Sequence, residues 1–478
     1  MKLSILILII FNSLFSEAQQ NKFEGIWLGN LQAGVSIKLV FEITAQTNGS
    51  LVTILKSPQQ TKAALPTDTT YLKGDSIFIA ATKLGIHFKG QLTTDSTING
   101  IFIQGAEFPL LLKKVQKAYD VLRPQTPKPP FNYNSVDTIY FNADKSLQYG
   151  ATLTYPNFSA NKNAAKTTRY PTIILITGSG QQDRDETILM HKPFAVIADY
   201  LTGRGFAILR VDDRGIGKST GNFTTATTAD FANDVAAGLD YLKTLPMVDT
   251  NKIGLIGHSE GGMIAPMVAS RRKEVKFIVL LAGPGENILQ LMSEQIEAIS
   301  ATEGLSKNTA KANGEFFKLV GKQVNLYTDT AFSKIILYKN IEDWAVKKSP
   351  LTLKELAIDT KQKREKAANA LILETTSPWY KYFLSFNPLI YLQQLSCPVL
   401  AINGEKDIQV LPFSNSKGIL KALKNSKSKN YTIKILPGLN HLFQTCKKCS
   451  AAEYGELEET FSVNALNIMG EWLVTVVQ

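Results

Sequence analysis

The stretch Leu255-Ile256-Gly257-His258-Ser259-Glu260-Gly261-Gly262 constrains this chain more than any other. Before it stands a short apolar run, Lys252 to Ile256, of the kind that forms a buried parallel strand. After it comes Met263-Ile264-Ala265-Pro266-Met267-Val268-Ala269, an apolar run that reads as a packed helix. Ser259 therefore falls where a strand turns sharply into a helix. Such a turn needs small residues two positions before and two after the serine, and Gly257 and Gly261 supply them in a G-x-S-x-G pattern. The serine hydroxyl is then expected above the sheet, with the Glu260 backbone N–H and the helix N-terminus directed at a reacting carbonyl.

The chain around this turn divides by pattern. From Phe23 to about Val115 the sequence alternates at period two, in Val35–Ile43, Ser76–Ile79 and Ile86–Leu92. Turn signals separate these runs at Thr47-Asn48-Gly49, Lys73-Gly74-Asp75 and Ile98-Asn99-Gly100. The expectation is a small antiparallel β domain over 19–118, sandwich or barrel. Four prolines between Arg123 and Pro130 mark a stiff linker over 119–135.

From Val136 to the C-terminus strands and helices alternate, as in a doubly wound, mostly parallel sheet with helices on both faces. Buried strands are read at Tyr170–Ile176, Gly205–Val211, Val275–Ala282, Pro398–Gly404 and Tyr431–Leu436. Helices are read at Pro193–Thr202, Thr228–Leu245 and about Ala465–Val476. The rhythm breaks after Gly283-Pro284-Gly285, and residues 286–392 read as a lysine-rich helical insertion, a cap over the strand ends.

A serine hydroxyl needs a base beside it to become a nucleophile near neutral pH. The chain has only four histidines. His87 lies in the β domain, His191 in a loop, and His258 beside the serine, where it is expected to pack or bond locally. His441 follows the last strand, at the same carboxyl edge of the sheet as Ser259. The base needs a carboxylate to fix its tautomer. Asp407 lies just past the preceding strand and is the choice for that role; Glu405 is the runner-up. The second oxyanion donor is expected from Thr177-Gly178-Ser179-Gly180, as the backbone N–H of Ser179 or Gly180. The charged loop Gln181 to Glu186 and the turn Asp213-Arg214-Gly215 read as structural, with Arg214 bracing neighbouring loops.

Three segments together carry a family resemblance: Gly178-Ser179-Gly180-Gln181-Gln182-Asp183-Arg184-Asp185-Glu186, Asp212-Asp213-Arg214-Gly215-Ile216-Gly217-Lys218-Ser219, and Gly257-His258-Ser259-Glu260-Gly261-Gly262. They resemble the exported and bacterial carboxylesterases of the α/β-hydrolase superfamily, a group joined with serine aminopeptidase-like hydrolases. Some members carry an N-terminal β domain. The resemblance implies an α/β-hydrolase fold over 136–478 and the chain order Ser259, Asp407, His441. One departure is Thr177, where many members have histidine.

The expected activity is cleavage of a small carboxylic ester through an acyl-enzyme, with no metal and no organic cofactor. An amidase or aminopeptidase is the second expectation, requiring a carboxylate for a substrate amine; Glu294, Glu297 and Glu342 in the cap are candidates. A non-catalytic envelope-binding protein on the same fold is the third. The formal net charge of +11 comes from scattered lysines, without a basic stripe interleaved with aromatics, so it reads as a solvated basic surface and not as a nucleic-acid site. Residues 1–18 read as a signal peptide: Lys2, an apolar run from Leu3 to Phe11, and small residues at Ser16 and Ala18. The mature chain is then expected to start near Gln19, to be secreted or periplasmic, and to lack a membrane-spanning segment. Cys446 and Cys449 are placed to close a small disulfide loop, leaving Cys397 free in a strand.

Overall fold

The computed structural model describes residues 22–33, 35–157, 168–326 and 331–478. The signal segment and the expected start of the mature chain lie outside them. The chain forms two compact units.

The first unit takes in the described residues up to Pro124, with Ile188–Met190 and Ala452–Glu458. It holds β1 (Gly25–Ala33), β2 (Val35–Ala45), β3 (Leu51–Lys56), β4 (Leu65–Pro66), β5 (Thr69–Lys73), β6 (Ser76–Ala81), β7 (Ile86–Thr94), β8 (Thr97–Gln104) and β9 (Ala106–Val115). All nine join one antiparallel sheet in the order β4-β3-β2-β1-β9-β8-β7-β6-β5. Its ends meet: the Thr70 hydroxyl on β5 donates to Thr53 Oγ1 on β3 at 2.9 Å, and the Thr67 hydroxyl donates to the Thr53 carbonyl at 2.8 Å. The sheet is thus rolled like a barrel around Trp27, Phe41, Phe88 and Phe102.

Ile98-Asn99-Gly100 is not a turn but part of β8. Gly100 pairs with Gly90 across the strands, and a Cβ on Gly100 would stand 2.6 Å from the Phe88 ring. The glycine there makes room for an inward-facing aromatic and does not bend the chain.

The second unit carries β10 (Tyr133–Phe141), β11 (Gln148–Pro156), β12 (Tyr170–Ile176), β13 (Ala207–Val211), β14 (Val248–His258), β15 (Val275–Leu281), β16 (Val399–Gly404) and β17 (Tyr431–Leu436). Strand β10 begins within the stretch read as linker. The eight strands run β10-β11-β13-β12-β14-β15-β16-β17. The β10–β11 and β11–β13 pairings are antiparallel, and every later pairing is parallel. The order departs from chain order at β12 and β13, so β14 lies inside the sheet between β12 and β15.

Helices cover both faces. On one lie α1 (Pro193–Thr202) and, at the end of the chain, α12 (Val463–Val477). On the other lie α2 (Thr228–Lys243) and α3 (Gly261–Arg271). The start of α2 is fixed by a capping box in which the Thr227 hydroxyl and the Asp230 carboxylate serve each other's backbone N–H. Between β15 and β16 comes the helical insertion: α4 (Ile288–Thr302), α5 (Lys307–Leu326), α6 (Ala331–Ala345), α7 (Pro350–Glu355), α8 (Lys361–Thr375), α9 (Pro378–Ser385) and α10 (Leu389–Leu392). It has a small core of its own, built on Phe316, Val320, Leu337 and Ile341. Helix α11 (Pro412–Lys424) follows β16 and was not legible in the sequence. Cys397 is buried and free as expected, but it precedes β16 and is not part of it. Cys446 and Cys449 are joined by a disulfide. No helix among the described residues is long and apolar enough to cross a membrane.

Candidate active site

The turn after β14 is tight because three backbones meet in it. Ser259 has φ +51°, the left-handed region that a non-glycine residue adopts at a cost. Its N–H is held by the Leu281 carbonyl at 2.9 Å, at the end of β15. A Cβ on Gly257 would lie 2.0 Å from the Gly261 carbonyl oxygen, and one on Gly261 would lie 2.2 Å from that of Ile176. Nothing larger than hydrogen fits at either position. The G-x-S-x-G spacing is thus a record of how closely β12, β14 and α3 approach one another. The Glu260 N–H stands at the start of α3, where helical N–H groups have no partner within the helix.

Asp407 and His441 meet in the loops after β16 and β17. His441 Nδ1 is 2.8 Å from Asp407 Oδ2, and both side chains are almost fully buried. The other oxygen, Asp407 Oδ1, accepts the N–H of Gln409 at 2.8 Å and of Val410 at 2.9 Å. The carboxylate is therefore pinned and draws the imidazole proton to Nδ1, leaving Nε2 free to take a proton. Asn440 shapes the His441 loop by accepting from Leu442 N and Gln444 N, each at 3.0 Å. Glu405, the alternative acid, is turned to the Gly438 N–H at 3.0 Å. The structure brings Asp407 to His441 and not Glu405.

The loop after β12 lies against the serine. A Cβ on Gly178 would stand 3.2 Å from Ser259 Cβ. The Gly178 N–H is committed to Glu186 Oε1 at 2.7 Å, which leaves Ser179 and Gly180 as the nearest donors of this loop. Gly180 has φ +99°, a conformation suited to glycine. A cavity of about 50 Å³ adjoins Gly178, Gly180 and Glu260.

The side chain of Glu260 has a part that its sequence position did not suggest. Its carboxyl is buried, and Oε1 accepts the Thr228 hydroxyl at 2.6 Å and the Trp379 indole N–H at 2.9 Å. The Ser179 hydroxyl bonds to the same carboxyl. Burial pushes its pKa up, and these three donors pull it partly back. Glu260 thus ties together α2, the cap helix α9 and the loop after β12.

The charged loop before α1 is a brace, as read from sequence, with one exception. Asp183 Oδ1 accepts Asp185 N and Thr187 N, closing the turn. Arg184 forks onto Asp212 at 2.7 and 2.9 Å. Asp185 pairs with Arg210 and Lys192. Arg214 pairs with Asp234 and lies near Asp230, the bracing expected of it. Glu186 is the exception, for it turns inward and meets His258 Nδ1 at 2.9 Å.

His258 is accordingly not engaged locally. It bonds to Glu186, 72 residues away, and its Nε2 reaches the His441 carbonyl at 3.1 Å. Its ring lies 4.9 Å from that of His441, which seats the His441 loop against the elbow. His191 is buried between Thr460 and Gln444, and His87 is exposed on β7. In the cap, Glu294 is engaged by Gln290 and by Ser414 on α11, and Glu342 by Arg364. A hollow of about 510 Å³ opens beside Asp407, lined by Ala298, Leu411, Pro412 and Phe413.

The family model described as serine aminopeptidase, S33, matches residues 191–445, just over half of the chain, a span that includes Ser259, Asp407 and His441. Esterase EstD of Thermotoga maritima is 28% identical over 155 residues, covering 32% of this chain. The match spans 37% of that curated relative's length. Among solved structures, a Pyrococcus furiosus esterase aligns with TM-score 0.43 and 14% identity, over 76% of this chain and all of that one. Est1E of Butyrivibrio proteoclasticus, solved with ferulic acid bound, aligns with TM-score 0.39 and 19% identity, over 71% of this chain and 99% of that one.

Proposed function

Because this chain belongs to the serine aminopeptidase S33 family of α/β-hydrolases, we propose that it is an exported serine hydrolase that cleaves small carboxylic esters. The observation that carries this reading is the 2.8 Å bond from His441 Nδ1 to Asp407 Oδ2, at the sheet edge where the strained turn presents Ser259. The named esterase relative favours an ester over an amide.

The steps follow from these positions. The Ser259 hydroxyl attacks the ester carbonyl while His441 Nε2 takes its proton, and Asp407 stabilises the imidazolium. The tetrahedral oxyanion is held by the backbone N–H of Glu260 and of Ser179 or Gly180. Collapse breaks the bond to the alcohol oxygen, which receives the proton from His441 and departs. Water then repeats the sequence on the acyl-Ser259 ester, releasing the carboxylic acid. Export rests on the N-terminal segment and is favoured by the Cys446–Cys449 disulfide, which suits an oxidising compartment.

The family's description favours a peptidase as the second reading. Against it, two of the three candidate carboxylates in the cap, Glu294 and Glu342, already have partners within the chain, which leaves Glu297 as the candidate for an amine. Initial rates on p-nitrophenyl acetate, butyrate and octanoate, set beside aminoacyl p-nitroanilides, separate the two. The proposal expects ester turnover that disappears in Ser259→Ala and silence on the anilides. Anilide turnover at comparable rates would make the protein a peptidase, and silence on both would leave a binding role.

A further inference from the structure

We propose that His258 and Glu186 form a second imidazole–carboxylate pair, kept doubly protonated, that positions the oxyanion loop and the His441 backbone around Ser259. The inference rests on the hydrolase reading of Ser259 and His441, to which it adds two positioning residues.

The protons follow from the partners. His258 Nε2 lies 3.1 Å from the His441 carbonyl oxygen, which can only accept, so Nε2 carries a proton. His258 Nδ1 lies 2.9 Å from Glu186 Oε1, and that contact also needs a proton. The same Oε1 accepts the Gly178 N–H at 2.7 Å. Whichever of Nδ1 and Oε1 holds the shared proton, the pair is neutral overall, as a buried site requires. One string of bonds then runs from Gly178 N–H through Glu186 and the His258 ring to the His441 carbonyl. Its two ends are the loop that offers Ser179 and Gly180 and the loop that carries the base.

The surroundings fit. His258 and Glu186 are both almost fully buried. Glu186 comes from the loop after β12, His441 faces the ring at 4.9 Å from the loop after β17, and Phe443 stands edge-on at 6.4 Å. Asp407, from the loop after β16, adds negative charge behind His441, and Asp213, from the loop after β13, interacts with the Glu186 charge. Burial alone would drive His258 to lose its proton, but the Glu186 charge and hydrogen bond, with the His441 carbonyl, outweigh it and raise its pKa above the ordinary value. The pair is therefore intact on the acid side and is lost as pH rises through that raised value. Deprotonation leaves one proton on the ring, so a lone pair then faces either the Glu186 carboxylate or the His441 carbonyl and the string breaks at that contact.

The test is a pH–rate profile of the full chain with p-nitrophenyl butyrate, wild type against Glu186→Gln. The glutamine still accepts the Gly178 N–H but lacks the charge that holds the proton on His258. The expected result is an alkaline limb of kcat moved down by ~1–3 pH units, with the acid limb and KM little changed. A limb that stays in place, with kcat unaltered, overturns the proposal. A second readout needs no turnover: ¹⁵N-histidine NMR of the wild-type protein, with the signals assigned through His258→Asn. The proposal expects protons on both His258 nitrogens, or one on Nε2 and one shared with Glu186, persisting above neutral pH. A His258 ring bearing a single proton and no shared one at neutral pH overturns it. If the wild type turns over neither ester nor anilide, the hydrolase reading falls, and the NMR result alone decides the pair.

Discussion

Replacing Asp407 by asparagine should remove the proposed catalysis while sparing the fold, an expectation that follows from how its two oxygens are held. Asp407 Oδ1 takes the N–H groups of Gln409 and Val410, and Oδ2 faces His441 Nδ1. An asparagine must keep its carbonyl oxygen on those two N–H groups. Turning its NH₂ toward them would leave buried donors unpaired, at ~1–3 kcal/mol each. The NH₂ therefore points at His441 and donates to Nδ1, which forces the imidazole proton onto Nε2. The nitrogen meant to receive the Ser259 proton is then already occupied, and no charge offsets the imidazolium. The expected loss is ~10⁴-fold in kcat, equivalent to ~5 kcal/mol of transition-state stabilisation. KM should change little, since the Asp407 side chain is fully buried and pairs with His441. The assay is steady-state hydrolysis of p-nitrophenyl butyrate, with a thermal melt of the variant to show that it folds. A variant that keeps more than about a tenth of the wild-type kcat would refute the reasoning. The orienting acid would then have to be sought elsewhere, and Glu405 could serve only by leaving the Gly438 N–H.

Two further outcomes follow from buried carboxyls near the elbow. Trp379→Phe keeps the ring that stacks on Phe383 at 4.7 Å but removes one donor from Glu260, so it should cost ~1–3 kcal/mol in a denaturant melt; an unchanged midpoint would show that the indole N–H does not hold the cap helix to the elbow. Asp213 is pushed up to about 7, chiefly by burial, with the Glu186 and Glu260 charges adding to it against the bonds from Thr177 and Gln182. A carboxyl raised in this way stabilises the fold most fully below its unfolded value near 3.8 and loses that contribution as pH rises through about 7. Asp213→Asn mimics the protonated form, donating to Thr177 Oγ1 and accepting from Gln182 N, so its melting temperature should gain on the wild type as pH is raised from 4 to 8. Parallel melting curves across that range would contradict the assignment.

The elbow was legible because its constraint is local: Gly257 and Gly261 are required by contacts within a few residues of Ser259 and by the end of one neighbouring strand. The parallel sheet was legible for a related reason, since its central strands are buried on both faces and read as continuous apolar runs. Asp407 and His441 could be chosen from strand order, because both must fall in loops at the carboxyl edge. What sequence could not show was pairing across long separations. Glu186 stands in a loop of charged residues that all look alike in the chain, and only the folded backbone turns it inward while Arg184 and Asp185 turn to Asp212 and Arg210. The same holds for Glu260, whose partner Trp379 lies 119 residues away in the cap. Gly100 was misread because glycine signals a turn and a close side-chain approach equally well, and the Phe88 ring that decides between them lies on the neighbouring strand. Helix α11 gave little warning because Asn415 and Gly418 stand on its buried face beside Ile419, Ala422 and Leu423, so the apolar period begins only in its second half.

The most direct measurement of the central claim is covalent trapping of the nucleophile. Full-length protein would be incubated with a fluorophosphonate, and its intact mass and digested peptides read by mass spectrometry alongside ester turnover. The account predicts one adduct per chain, located on Ser259, formed in step with the loss of activity and absent from Ser259→Ala. Complete inhibition with the adduct on another residue, or undiminished ester turnover by Ser259→Ala, would contradict it.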